Sequence, residues 1–170
     1  PLPYITNEAY LQGYSFYVDK RVIIPRSFIA EIILHDHLTP WIEHPELVNC
    51  ALDLCTGNGS LATIMADYFY DAEIVASDIS DDALDVAKIN FERNHVGEEI
   101  TLLKSDLFAG LVGYQGQFDL IVTNPPYVDK RRMESLAPEY NFEPSLALAG
   151  GDSGLELVET ILHEAKHYLS

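Results

Sequence analysis

The sequence predicts an α/β fold built on a doubly wound parallel sheet, and three observations carry that expectation. From Cys50 onward, short apolar runs alternate with helical patterns, as strands and crossover helices do. A glycine-rich stretch, Asp53-Leu-Cys-Thr-Gly-Asn-Gly-Ser60, joins the first run to its helix. Acids close the runs: Asp53 near the end of the first, Asp78 after the second and Asp106 after the third. Ligands of open α/β sheets bind at the carboxyl ends of strands, where these acids fall.

Residues 1–24 predict a hairpin, with Phe16-Tyr17-Val18 and Val22-Ile23-Ile24 flanking an Asp19-Lys20-Arg21 turn. Ser27 reads as the N-cap of a helix through Ile29, Ile32 and Ile33, closed by His35, Asp36 and His37. Those histidines stand two apart and face different ways on a helix, so they read as surface residues rather than metal ligands. Cys50–Leu54 is the first strand of the sheet, followed by a helix from Ser60 to Tyr70 with Leu61, Ile64, Met65 and Tyr68 on one face. Glu73–Ser77 is the second strand. Ser80 caps a helix running to about Asn94 whose core residues read as Leu84, Ala87, Ile89 and Phe91. Ile100–Lys104 and Asp119–Thr123 are the third and fourth strands. The stretch 129–134 reads as exposed loop or short helix, and Asp152–Ser170 as a helix with Leu155, Val158, Leu162, Ala165 and Leu169 at core spacing. A doubly wound sheet is expected to continue past this helix, so the chain reads as truncated at its C-terminus. Residues 1–45 are expected to form a hairpin-and-helix linker region, and 46–170 a partial α/β domain that carries the chemistry.

With 170 residues, 48% of them hydrophobic, the chain suffices for the core of one domain. No apolar run is long enough for a membrane span, and neither a secretory leader nor a membrane partner is expected. The net charge of −17 disfavours a binder of nucleic-acid backbone and favours a basic protein partner, such as a ribosomal protein. Cys50 and Cys55 stand too far apart along an extended strand for a disulfide. Unpaired thiols fit a reducing, cytoplasmic setting. His163-Glu-Ala-Lys-His167 matches the zinc-protease pattern H-E-x-x-H, but it lacks a third ligand downstream, so no metal is expected.

Gly57, Gly59 and Ala62 match G-x-G-x-x-A, and Asp78 lies 19 positions after Gly59, the spacing of a nucleotide-binding unit. Asp53 would sit close to the pyrophosphate of a nicotinamide cofactor, where like charges repel. S-adenosylmethionine carries an ammonium and a sulfonium and no phosphate. The acids therefore favour it over NAD, with Asp53 at its cationic end, Asp78 on the ribose hydroxyls and Asp106 on the adenine amino group. After the fourth strand come Asn124, Pro125, Pro126 and Tyr127. The prolines supply carbonyls without neighbouring N–H donors, Asn124 an amide and Tyr127 a flat ring, a set that suits a planar group bearing an NH2.

Together D-L-C-T-G-N-G, D-I-S, S-D-L-F and N-P-P-Y resemble the class I S-adenosylmethionine-dependent protein-glutamine N-methyltransferases. F-Y-V-D-K-R-V-I-I-P-R-S and E-P-S-L-A-L-A-G-G-D-S-G-L extend the resemblance over nearly the whole chain. It implies a Rossmann-like sheet with flanking helices and a cofactor held by Asp53, Cys55, Thr56, Gly57, Asn58, Gly59, Asp78, Asp106, Leu107 and Asn124. It further implies catalysis by Asn124 and the Pro125 carbonyl, which accept from the glutamine NH2, with Pro126 and Tyr127 walling the amide. Cys55, in place of the usual glycine, and P-R-S after the hairpin resemble the subgroup acting on the third large-subunit ribosomal protein. Asn58 replaces the usual Ser and would act through its backbone. Leu107 stands where the release-factor subgroup has an aromatic. Release factors are the alternative substrate, and adenine-amino DNA methyltransferases share N-P-P-Y. A non-enzymatic fragment that has lost turnover is a further alternative.

Overall fold

The computed structural model describes residues 1–35, 38 and 40–170. It begins with α1 (Leu2–Thr6) and an antiparallel pair, β1 (Ala9–Leu11) and β2 (Tyr14–Phe16). The hairpin therefore lies ahead of its expected place. Gln12 and Gly13 both take positive φ, 51° and 88°, the geometry of a two-residue hairpin turn, whereas Asp19-Lys20-Arg21 makes only a local turn. There the Asp19 carboxylate accepts from the Arg21 backbone N–H (2.9 Å) and side chain, which curls the segment. The β-branched run 22–24 is used for packing instead, with Val22 buried against Ala83 and Val86.

Ser27 caps α2 (Phe28–Leu34), its Oγ accepting from the Ile29 N–H at 3.1 Å. Asp36 and His37 lie outside the described residues. Four parallel strands follow: β3 (Cys50–Leu54), β4 (Glu73–Asp78), β5 (Ile100–Lys104) and β6 (Leu120–Thr123), in the order β5-β4-β3-β6. Three helices stand between or after them: α3 (Ser60–Tyr68), α4 (Asp81–Arg93) and the short α5 (Lys130–Glu134). Helix α6 (Glu156–Ala165) closes the chain. The chain winds outward from β3 through β4 to β5, then returns to the other side of β3 with β6. The reversal of direction, where such sheets bind ligands, is therefore between β3 and β6.

Alternation along β3 sorts the core into two layers. Ala51 joins Ile64, Met65, Phe91 and Ile33 on the face covered by α2, α3 and α4. Leu52 and Leu54 join Phe108, Phe118 and Ile161 on the α6 face. Two core assignments differ from expectation. On α4, Ile89 is exposed and Asn90 is buried, because Asn90 bridges backbone: its Nδ2 donates to the Tyr17 and Asn58 carbonyls and its Oδ1 accepts from the Tyr17 N–H. On α6, Leu162 is 72% exposed, as are Leu155 and Leu169 to a lesser degree, and Ile161 packs inward. That helix is also shorter than expected, because Ser153 and Gly154 precede it in a turn and Tyr168 stacks on Phe108 at 4.6 Å beyond its end. No helix is long and apolar enough to cross a membrane among the described residues.

Candidate active site

The glycine loop leaves β3 through strained backbone. Cys55, Gly57 and Gly59 have φ of 63°, 55° and 78°. At Gly59 a Cβ would stand 2.6 Å from Phe91 Cε1, so only glycine meets both the turn and the contact with α4. Four of the loop's N–H groups are spent internally: Thr56 donates to the Ser77 carbonyl (2.9 Å), Gly57 to Asp78 Oδ2 (2.9 Å), Gly59 to the Thr56 carbonyl (3.0 Å) and Ser60 to Asn58 Oδ1 (3.2 Å). A pyrophosphate would need such donors free.

Asp53 lies beneath this loop, away from the cleft wall. Its Oδ2 accepts from the Thr56 hydroxyl (2.6 Å) and the Ala62 N–H (3.0 Å), tying β3 to the first turn of α3. Burial pushes the carboxyl up to about 7, against those two hydrogen bonds and with nearby Asp78 adding to the rise. The folded chain thus keeps a proton at Asp53 that the unfolded chain releases above its ordinary value of 3.8. The resulting stability is fully present below that value and is lost as pH rises through about 7. Denaturant unfolding at about pH 5 and about pH 8 should show a fall in midpoint that is smaller in Asp53→Asn, measured by tryptophan fluorescence.

The remaining predicted residues divide by position. Cys55, Gly57, Asp78, Asp106, Leu107, Asn124 and Pro126 line one cleft of about 160 Å³. Thr56, Asn58 and Gly59 stay in the loop behind it, and the Asn58 carbonyl is taken by Asn90. Asp78 accepts from the Gly57 and Ser80 N–H groups, one on each oxygen, leaving lone pairs toward the cleft. Asp106 is exposed, and its carboxylate bonds to no described residue. Ser105 shapes that turn, donating to the Leu107 carbonyl and accepting from the Gly110 N–H. Ile79, Ala83, Leu146 and Leu157 supply apolar wall. The Cys55 thiol is pushed up to about 12 by burial and by Asp78 and Asp53, so it stays protonated and serves as wall rather than nucleophile.

Asn124 stands between this cleft and a second, wider cavity of about 680 Å³. Pro125 and Tyr127 line the second side together with Arg26, Phe28, Arg132 and Tyr140, and Tyr127 is 63% exposed there. The Asn124 amide bonds to no described residue, which leaves its oxygen and NH2 available. The backbone on either side is pinned. Thr123 Oγ1 donates to the Leu54 carbonyl (2.7 Å), and Val128 exchanges hydrogen bonds with Leu148 and Gly150, each 2.9 Å.

The segment after Glu143 roofs both cavities, a role that sequence reasoning did not assign. Arg26 grips the buried Glu143 carboxylate with two hydrogen bonds of 2.6 and 2.7 Å and stacks over Tyr140 at 5.0 Å. The motifs that hold this pair, P-R-S and E-P-S, were visible, but nothing joined them across 117 positions. Arg26→Met should lower stability by about 2 kcal/mol, below the roughly 3–5 kcal/mol of fully buried pairs because Arg26 is half exposed. A thermal melt measures it. Behind the turn, a Cβ on Gly150 would stand 2.7 Å from Tyr127 Cα and 2.9 Å from the Pro126 carbonyl. The signal was a Gly-Gly pair, which reads as an ordinary loop.

Cys50 and Cys55 are free. Among the described residues, no group of three or more His, Cys, Asp or Glu could hold a metal ion. Helix α6 ends at Ala165, so His163 and His167 do not share one helix, and both are exposed.

Comparison with known proteins matches residues 34–142 to the family described as methyltransferase small domain. The ribosomal protein uL3 glutamine methyltransferase of Neisseria meningitidis serogroup A is 52% identical over 170 residues, all of this chain and 55% of that protein. The chain therefore spans about half the length of the curated relatives it matches. Among solved structures, the catalytic domain of human METTL16 in complex with an MAT2A 3'UTR hairpin has a TM-score of 0.67 at 20% identity, over 90% of this chain and 56% of that one. The T. thermophilus 16S rRNA methyltransferase in complex with AdoMet and guanosine has 0.55 at 27% identity, over 71% and 32%. The strand order, the glycine loop with its acids and the family match agree: this chain belongs to the methyltransferase small domain family.

Proposed function

We propose that this chain is the catalytic part of a methyltransferase that moves the methyl group of S-adenosylmethionine to the side-chain amide nitrogen of a glutamine. The proposed protein substrate is ribosomal protein uL3. The observation that carries the reading is the position of Asn124, its amide bonded to no described residue, in the wall between an acid-lined cleft and a wide open cavity. The cleft fits the cofactor: Asp78 accepts from ribose hydroxyls, Asp106 from an adenine amino group, and Ile79 and Leu107 offer apolar surface to a flat base. With the N–H groups of Thr56, Gly57, Gly59 and Ser60 engaged, the loop has few donors for a pyrophosphate cofactor. Asp53, Thr56, Asn58 and Gly59 act from behind, by holding the loop in its strained form.

When bound, S-adenosylmethionine supplies an electrophilic methyl on sulfur. The chain's residues present the nucleophile. An amide nitrogen is a weak one because its lone pair is shared with the carbonyl. The Asn124 Oδ1 and the Pro125 carbonyl accept its two N–H groups, which favours charge on nitrogen and fixes its direction. As the N–CH3 bond forms the sulfur would keep the electrons of its broken bond, and the methylated nitrogen, now acidic, would lose one proton to solvent. Tyr127 walls the amide plane from the second cavity, and Pro126 faces the cofactor side of the same turn. Orientation of this kind supplies roughly 7–11 kcal/mol in well-aligned systems.

The acceptor is read from the relatives and from charge. A chain of net charge −17 attracts a basic ribosomal protein and repels a phosphate backbone. Cytoplasm is the setting that such a substrate and two free thiols suit. Labelled methyl transfer to uL3, a release factor and duplex DNA tests the reading. Label on uL3 alone is expected. Label on the release factor or the DNA would move the assignment to that substrate, and cofactor binding without any label would make the chain a binder that has lost turnover.

A further inference from the structure

The cofactor of the proposed reaction carries a carboxylate on its methionine end, and this inference rests on that reading. In a cleft walled by Asp78 and Asp106, a third carboxylate needs donors. The glycine loop offers few, since the N–H groups of Thr56, Gly57, Gly59 and Ser60 are already donated within the chain. Among the described residues lining the cleft, Arg21 is the only Lys or Arg.

Its place is built rather than incidental. Asp19 holds it through Nε (3.0 Å) and Nη2 (2.7 Å), and Tyr17 braces Asp19 with a hydrogen bond of 3.0 Å. The next residue, Val22, is buried against Ala83 and Val86 at the start of α4, and Ile23 reaches both cavities. Residues 21–23 thus cross the cleft from α4 toward Asn124. The ion pair uses the Nε–Nη2 edge and leaves Nη1 outside it. A guanidinium gripped along one edge can still take a second carboxylate at its Nη1–Nη2 end.

We propose that Arg21, held by Asp19, is the residue that binds the cofactor's carboxylate and so sets the methionine end in place. The test is calorimetric titration of the 170-residue chain with S-adenosylmethionine and with its decarboxylated analogue, which keeps the amine and the sulfonium. The native chain should bind the analogue about tenfold to a hundredfold more weakly. Arg21→Met should lose about as much for S-adenosylmethionine and change less than about twofold for the analogue, while Arg21→Lys restores part of the loss. Equal binding of both ligands by the native chain would overturn the inference, and that comparison needs no variant to fold. Equal weakening of both ligands in a variant with native circular dichroism would overturn it too. If the native chain binds neither ligand, the methyl-donor reading itself fails and takes the inference with it.

Discussion

Asn124→Ala should reduce methyl transfer by on the order of 10²–10³-fold or more while leaving cofactor affinity within about threefold of native. The two effects separate because the residue faces two cavities. On the cofactor side it is one wall residue among many, with Asp78, Asp106, Ile79 and Leu107 unchanged. On the acceptor side its oxygen is one of the two acceptors proposed for the glutamine NH2, and the Pro125 carbonyl alone cannot fix the amide plane. No described residue hydrogen-bonds the Asn124 side chain, so truncation breaks no hydrogen bond among the described residues, and the fold should survive. Initial rates together with a titration of S-adenosylhomocysteine measure both quantities. Loss of cofactor binding in parallel with rate would show that Asn124 is mainly a cofactor residue.

Gly150→Ala should lower stability by roughly 1–3 kcal/mol and slow transfer by on the order of 10²-fold. The added methyl would meet backbone, not a flexible side chain: Tyr127 Cα at 2.7 Å, the Gly154 carbonyl at 2.8 Å and the Pro126 carbonyl at 2.9 Å. Backbone must shift, and the atoms that shift carry the proposed amide pocket. Pro125 and Pro126 restrict φ in that turn, so little of the strain can be absorbed there. Cofactor binding should change much less, because the glycine loop and the acids lie on other strands. A denaturant melt and a rate measurement on the same variant give both numbers.

These two residues differ in how readable they were. Asn124 follows an apolar run and precedes two prolines, so its place at a strand end could be inferred from neighbours alone. The same holds for Asp78 and Asp106, since each ends a short β-branched or apolar run. Gly150, Arg26 and Glu143 act through partners distant along the chain, and no local pattern announces such contacts. Asp53 shows the opposite failure. Its position was read correctly, but the pleat turns its side chain toward α3, beneath the loop, rather than into the cleft.

The fold divides along the same line. Strands β3 and β4 were plain because both faces are covered, and β5 and β6, though half-buried, because each is a short run rich in apolar residues. The first hairpin was misplaced because Val22 and Ile24 pack in the cluster around Ala83 and Val86 of α4 and Ile23 lines the cavities, while the true turn rests on positive φ at Gln12 and Gly13. On α6 a regular leucine spacing pointed at Leu162, yet Ile161 faces the sheet. On α4 the unexpected buried residue is Asn90, a polar side chain that earns no place in an apolar pattern and instead links the glycine loop to the segment after β2.

The acceptor proposed for the reaction is a glutamine amide. Purified uL3 should be incubated with S-adenosylmethionine and the longest native form of the protein carrying this chain, then digested and sequenced by tandem mass spectrometry. A single added methyl group on one glutamine side chain, missing with Asn124→Ala, is the predicted result. An unmodified uL3, or a methyl group on lysine, arginine or the N-terminus instead, would contradict it.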